Sequence, residues 1–190
     1  MGAHDGMQKW VDSYWETYST LVNIFSVCLI LAFKKIHKLE SKAIDFVLSF
    51  SQAYLKDYIW MNLKICFQVD GQTKANYDRH YVLKLDKNLY GLKQGMLKWY
   101  EKLKTSLVNR NFKTSDIDPC LLIRNGIIVL TYVDDCIIVG PYMQNIDTFV
   151  KSMEVGPKHF SLNNEGDIDK FLGIEIKYLD GKIFKIPSLF

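Results

Sequence analysis

Two adjacent aspartates, Asp134 and Asp135, lie between two runs of apolar, mostly β-branched residues. The runs Ile127–Leu130 and Ile137–Val139 predict two buried strands, because short apolar segments bounded by turn residues are typical of strands inside a core. The acids fall where the chain must reverse, so the stretch predicts a hairpin whose tip carries two negative charges. Neighbouring carboxylates repel each other, more so in an apolar setting. A divalent cation would relieve that repulsion, and oxygen ligands suit magnesium.

A further carboxylate lies in the β-rich run Ala43–Phe50, which contains one acid, Asp45. A lone carboxylate in a strand is costly to bury unless it binds something, so Asp45 is a candidate partner for the paired aspartates. The alternative interpretations are that Asp45 faces water on an edge strand and that Asp134–Asp135 is a solvated turn, since Asp is a common turn residue. These short segments alone leave both alternatives open.

Composition places the chain among folded proteins. It has 190 residues, 48% hydrophobic and 24% charged, which suffices for one sizeable core, and its net charge of +3 permits a nucleic-acid partner without requiring one. The cysteines and histidines are dispersed without metal-ligand spacing, which favours buried thiols in a reducing compartment. The N-terminus does not resemble a signal peptide and the apolar segment Leu21–Phe33 is too short to span a membrane, so we expect a soluble protein.

The remaining periodicities predict helices and strands in mixed order. Helices are expected over 20–39, 96–111 and 145–153, and strands over 58–69, 81–85, 120–124, 169–178 and 182–186. Because strict strand–helix–strand alternation is absent, we predict an α+β fold in which helices cover one face of a small antiparallel sheet. Such a sheet can bring Asp45 beside the Asp134–Asp135 tip despite their separation in sequence.

The helix predicted over 96–111 and its approach are basic. Acidic residues in this stretch are Asp86 and Glu101 only, whereas the basic ones are Lys84, Lys87, Lys93, Lys98, Lys102, Lys104, Arg110 and Lys113. Such a run is either a solvated helix face or, beside an acidic metal site, a surface that neutralises phosphates.

These segments together resemble the reverse transcriptase of copia-type long-terminal-repeat retrotransposons. Tyr132–Asp135 looks like the polymerase palm motif with its paired metal-binding aspartates, and Asp45–Phe50 is similar to the motif of the first catalytic aspartate. Leu89–Gln94, followed by Trp99 and Tyr100, resembles a signature that is close to diagnostic for the copia group. Further similar blocks are Tyr14–Ser19, Phe112, Ser115, Asp118–Leu121 and Phe171–Ile176, so the resemblance runs from about residue 14 to residue 185.

The resemblance implies an RNA-directed DNA polymerase domain spanning 1–190, with a palm-like antiparallel sheet, partial fingers, no thumb and no RNase H or integrase region. It implies transfer of nucleotides to a primer 3′-hydroxyl with two Mg²⁺ ions. The implied ligands are the carboxylates of Asp45, Asp134 and Asp135 and the backbone carbonyl of Phe46.

The resemblance also implies binding roles and partners. The nucleotide would contact Phe50, which screens the sugar, together with Gln94 and Tyr132. The primer end would be held by Phe171, Leu172 and Gly173. Other contacts with nucleic acid would come from Lys93, Lys98 and Lys102. Partners would be an RNA template, a DNA primer, deoxynucleoside triphosphates and the rest of a Gag-Pol-type polyprotein, with no membrane. A live element would place the protein in a cytoplasmic virus-like particle.

Several positions depart from the family's pattern. Thr20 stands where the family has proline, Ser49 is the small residue before the sugar-screening aromatic, and Gly95–Leu97 replaces a segment that carries an arginine. Only residues 1–13 precede the first block and no thumb follows the last, so we expect a truncated fragment whose activity by itself is open. The alternatives are an inactive retrotransposon remnant that at most binds nucleic acid, an unrelated magnesium phosphotransferase or nuclease, and a structural domain.

Overall fold

The computed structural model describes residues 19–62, 68–69, 72–73, 82–155, 159–168, 170–171, 174–179 and 182–187. The elements in chain order are α1 (Ile24–His37), β1 (Glu40–Phe46), α2 (Ser49–Gln52), β2 (Tyr54–Asn62), β3 (Gln68–Val69), β4 (Gln72–Thr73), β5 (Val82–Lys87), α3 (Gly95–Val108), β6 (Lys113–Thr114), β7 (Leu121–Arg124), β8 (Ile127–Tyr132), β9 (Asp135–Gly140), α4 (Met143–Glu154), β10 (Leu162–Gly166), β11 (Lys170–Phe171), β12 (Ile174–Leu179) and β13 (Lys182–Pro187). The described part of the chain is thus an α+β fold with antiparallel pairing and four helices. None of those helices is long and apolar enough to cross a bilayer.

The described residues fall into two compact units, one from 50–99 and the other from 19–49 and 100–187. In the first unit β2 pairs with β5 and β3 pairs with β4, both antiparallel. The second unit holds a six-stranded sheet in the order β10-β1-β9-β8-β7-β6 and a three-stranded sheet in the order β11-β12-β13. This division leaves the expected single domain over 1–190 as a prediction.

The centre of the six-stranded sheet is apolar on both faces. Five successive residues of β8 and five of β9 are buried, and Leu130, Ile138 and Val139 are completely inaccessible. The two predicted strands beside the paired aspartates are therefore confirmed. Because side chains alternate between the faces of a strand, uninterrupted burial requires cover on both sides of the sheet.

Helices supply that cover from opposite sides. Ile30 and Leu31 of α1 belong to the same buried cluster as Ile137 and Val139 of β9. The next residue, Gly140, faces α4 instead, since a Cβ placed on it would lie 3.4 Å from Cγ1 of Ile146. The prediction that the helices cover one face is therefore wrong: an apolar stripe on a helix does not show which side of the sheet it covers.

The bounds of several elements differ from those predicted, for local reasons. Helix α1 begins after Asn23, whose side chain accepts a hydrogen bond from the Phe25 amide at 3.0 Å. The predicted β run Ala43–Phe50 is a strand only to Phe46, because Leu48 adopts the left-handed region (φ 49°) and α2 begins at Ser49. Strand β10 was not predicted at all, since its sequence Leu162–Gly166 is polar. The block 14–18 lies outside the described residues.

Candidate metal and catalytic site

The six-stranded sheet brings Asp45 directly opposite Asp135. These residues are register partners in the antiparallel pairing of β1 with β9. The amide of Phe46 donates to the carbonyl of Asp134 at 2.8 Å, which makes Asp45 and Asp135 a non-hydrogen-bonded pair. In such a pair the Cβ atoms lie about 4.5–5.5 Å apart on one face of the sheet. Two acids distant in sequence thus share one small region.

A tight turn carries the third acid. The predicted hairpin is confirmed, but Tyr132 pairs with Asp135, so its two turn residues are Val133 and Asp134 and Asp135 already belongs to β9. Val133 has a φ of 49°, whereas Asp134 is not among the residues of positive φ, a combination typical of a type II′ turn. Glycine usually occupies the first turn position, and a β-branched residue is strained there. The hairpin therefore holds Asp134 at its tip in a strained backbone.

Asp134 is also attached to the segment that follows Asp45. The hydroxyl of Ser49 donates a hydrogen bond to the Asp134 carboxylate, and Ser49 itself is completely buried. The backbone bond from Phe46 adds a second connection to Asp134. In the sequence Ser49 was visible only as the small residue before Phe50. Its contact with Asp134 depends on the tertiary fold.

Burial and neighbouring carboxylates raise the pKa of Asp135. Partial burial is the largest cause, followed by the negative charges of Asp45, Glu165 and Asp134, and together they bring this pKa to about 6. Glu165 was not a predicted member of the site, since nothing in its polar surroundings predicts β10, the strand that carries it. These four carboxylates concentrate negative charge in one region, which disfavours the ionised form of Asp135.

We expect Asp135→Asn to stabilise the metal-free fold by roughly 1 kcal/mol at about pH 7.5, after allowing for solvent screening. The fold raises the Asp135 pKa from 3.8 to about 6, so the ionised carboxylate destabilises the folded state above pH 6 and the penalty disappears as the pH falls toward the unfolded value. Denaturant unfolding in a chelator measures this effect. The gain should be present at pH 7.5 and absent at about pH 4; an equal gain at both would contradict this cause.

The donor chemistry of the cluster fits a hard cation, because carboxylate oxygens are the ligands that magnesium prefers. Within the part of the chain that the structure describes, however, no three Asp, Glu, His or Cys side chains are close enough together to form a metal-binding group. The assignment of Asp45, Asp134, Asp135 and the carbonyl of Phe46 as ligands therefore stays a prediction.

The predicted sugar-screening and glutamine residues lie in the other unit. The ring of Phe50 stacks on the ring of Tyr90, with centroids 4.4 Å apart and planes at 25°. Phe50 is buried and Tyr90 is 37% exposed, whereas Gln94 is only 1% exposed. Their nucleotide contacts stay predictions, as does that of Tyr132, which is half-buried against the core of the second unit.

The residues predicted to contact nucleic acid and the primer end differ in their burial. Lys93 is exposed and Lys98 is half-buried, while the ammonium of Lys102 lies 4.9 Å from the centroid of the Phe160 ring. Phe171 is buried in the core cluster that contains α1. Leu172 and Gly173 lie outside the described residues, so the primer-holding role of this segment also stays a prediction.

The chain matches the sequence profile of the family described as reverse transcriptase (RNA-dependent DNA polymerase) over residues 4–187. The match covers far more than half of the sequence, so the chain belongs to the reverse transcriptase family.

Similar proteins indicate which kind of reverse transcriptase this is. The chain is 31% identical over 166 residues to the retrovirus-related Pol polyprotein from transposon TNT 1-94 of Nicotiana tabacum, covering 85% of this chain and 12% of that protein. It is 31% identical over 170 residues to the Pol polyprotein from transposon RE2 of Arabidopsis thaliana, covering 86% of this chain and 11% of that protein. The predicted copia-type reverse transcriptase is confirmed. The chain spans about an eighth of the length of these curated relatives.

Proposed function

We propose that the chain supplies the polymerase centre of a copia-type Pol polyprotein and transfers deoxynucleotides to a primer 3′-hydroxyl on an RNA template. Membership of the reverse transcriptase family supports the reaction class. The single observation that supports the location of the chemistry is the pairing of Asp45 with Asp135 beside the Asp134 turn. Carboxylates opposite each other destabilise a sheet, which is expected where a bound cation is part of the working state.

Phosphoryl transfer requires mainly positioning and charge stabilisation from the protein. In this proposal the carboxylates of Asp45, Asp134 and Asp135 and the backbone carbonyl of Phe46 would hold two Mg²⁺ ions. When bound, such ions would activate the primer hydroxyl and stabilise the leaving pyrophosphate. The buried hydroxyl of Ser49 orients the Asp134 carboxylate, and the strained turn presents it at the end of the hairpin.

The other assignments complete the proposal. The six-stranded sheet is the palm, and the first unit supplies part of the fingers. Phe50 excludes a ribose 2′-hydroxyl, and Gln94 and Tyr132 contact the nucleotide. The segment Phe171–Gly173 holds the primer end. The lysines that contact nucleic acid are Lys93, Lys98 and Lys102. The protein acts within a Gag-Pol-type polyprotein in a cytoplasmic virus-like particle.

Primer extension tests the proposal. The full chain is incubated with poly(A)/oligo(dT), deoxythymidine triphosphate and Mg²⁺, and elongation of the labelled primer is followed. We expect template-dependent elongation that stops when a chelator is added. Binding of the template-primer without elongation would overturn the proposal and select an inactive nucleic-acid-binding remnant.

Phe50→Ala is expected to relax sugar selectivity. Removing the ring opens space for a 2′-hydroxyl, so the preference for deoxythymidine over uridine triphosphate should fall by about a hundredfold, the scale at which pocket shape discriminates small groups. Steady-state kcat/KM for each nucleotide on the same primer measures the ratio. An unchanged ratio in an active variant would remove Phe50 from the nucleotide site.

A further inference from the structure

The segment before α3 contains a turn that fixes Tyr90. The amide of Leu92 donates to the carbonyl of Leu89 at 3.3 Å, and Gly91 has a φ of 97°. A positive φ at the third position of a four-residue turn is typical of type II, which favours glycine there. Tyr90 is the second residue of this turn, so its backbone direction is set by local geometry.

A buried asparagine joins that turn to the helix carrying Phe50. The backbone amide of Asn88 donates to the carbonyl of Ala53 at 2.9 Å, and the amide of Ala53 donates to the carbonyl of Phe50 at 3.0 Å. The side-chain amide of Asn88 also donates to the carbonyl of Gly95 at 3.3 Å. Asn88 is completely inaccessible to solvent. These bonds connect the backbone next to Phe50 with the segment that carries Tyr90.

The rings of Phe50 and Tyr90 stack on each other. Their centroid distance of 4.4 Å lies just below the usual range of about 4.5–7 Å for aromatic pairs, so the contact is close. Cδ2 of Phe50 also lies 3.5 Å from where a Cβ on Gly95 would be, so the first residue of α3 approaches the same ring. Tyr90 is the more exposed member of the pair, at 37% against 9% for Phe50. Phe50 therefore cannot change rotamer without breaking its stack on Tyr90.

We propose that Tyr90 is a positioning residue that fixes the Phe50 ring and thereby strengthens the discrimination between deoxyribonucleoside and ribonucleoside triphosphates. The inference rests on the proposed polymerase function, in which Phe50 screens the sugar. A screening ring excludes a 2′-hydroxyl only if it cannot rotate out of the way. The stack raises the cost of that rotation, whereas the phenolic hydroxyl of Tyr90 is not needed for it.

Single-nucleotide incorporation tests the proposal. We compare kcat/KM for deoxythymidine and uridine triphosphates on poly(A)/oligo(dT) in the full chain, in Tyr90→Leu and in Tyr90→Phe. Loss of the stack in Tyr90→Leu should lower the selectivity ratio by roughly fivefold, mainly through faster uridine incorporation. Tyr90→Phe keeps an aromatic face and should retain the original ratio. Equal loss of both activities in Tyr90→Leu, with the ratio unchanged, would overturn the proposal.

Two further variants separate this role from general effects. Tyr58→Leu is the matched control, because Tyr58 is an exposed tyrosine of the same unit whose ring lies under Lys84, and its ratio should not change. In a Phe50→Ala background, Tyr90→Leu should have no additional effect on the ratio, since its action passes through the Phe50 ring. An additional loss there would overturn the proposal. Absence of extension by the unmodified chain would overturn the proposed function and this inference with it.

Discussion

Asp134→Asn is expected to lower primer extension at least roughly a thousandfold while leaving the fold intact. The substitution removes a negative charge without changing the size of the side chain. Its amide oxygen can still accept the hydrogen bond from Ser49, and the backbone bond from Phe46 is unaffected. The loss should therefore come from charge alone. Initial extension rates and thermal unfolding of the same preparations measure the two effects.

The matched control is Asp116→Asn, the same chemical change at an exposed aspartate outside the site. It should leave both the rate and the unfolding temperature unchanged. Undiminished extension by Asp134→Asn would remove the proposed mechanism. A drop in the unfolding temperature of Asp134→Asn alone would show that this carboxylate has a structural role.

Asp118→Ala is expected to lower the free energy of unfolding by about 3 kcal/mol. This buried carboxylate accepts hydrogen bonds from the backbone amide of Asn23 at 3.0 Å and from that of Cys120 at 2.9 Å. Alanine would leave both amides without this acceptor, at the start of α1 and just before β7. Loss of two hydrogen bonds to a charged group therefore affects the helix and the sheet together.

Denaturant unfolding measures the change, and two variants test its cause. Asp118→Asn keeps one oxygen acceptor and should lose about half as much stability. Asp116→Ala removes an exposed carboxylate of the same loop and should change stability by less than about 0.5 kcal/mol. If Asp118→Ala were as stable as Asp116→Ala, the two backbone bonds would not hold α1 to this part of the chain.

Local patterns predicted much of the fold because their causes are local. The turn at Asn125-Gly126 is confirmed, with both residues at positive φ, and the strands on either side follow from their apolar runs. The strand after the paired acids is confirmed for the same reason. By contrast, β10 was missed because Leu162–Gly166 is a polar strand that owes its conformation to pairing with β1.

The apolar strands, the hairpin carrying Asp134 and the resemblance to copia-type reverse transcriptases could all be predicted from the sequence, since they depend on neighbouring residues and on ordered motifs. The pairing of Asp45 with Asp135, the hydrogen bond from Ser49 to Asp134 and the stacking of Tyr90 on Phe50 depend on the three-dimensional fold. Each of these contacts joins segments that are far apart in the chain. Strand register and helix placement depend on packing of the whole unit, and no periodicity within one segment encodes them.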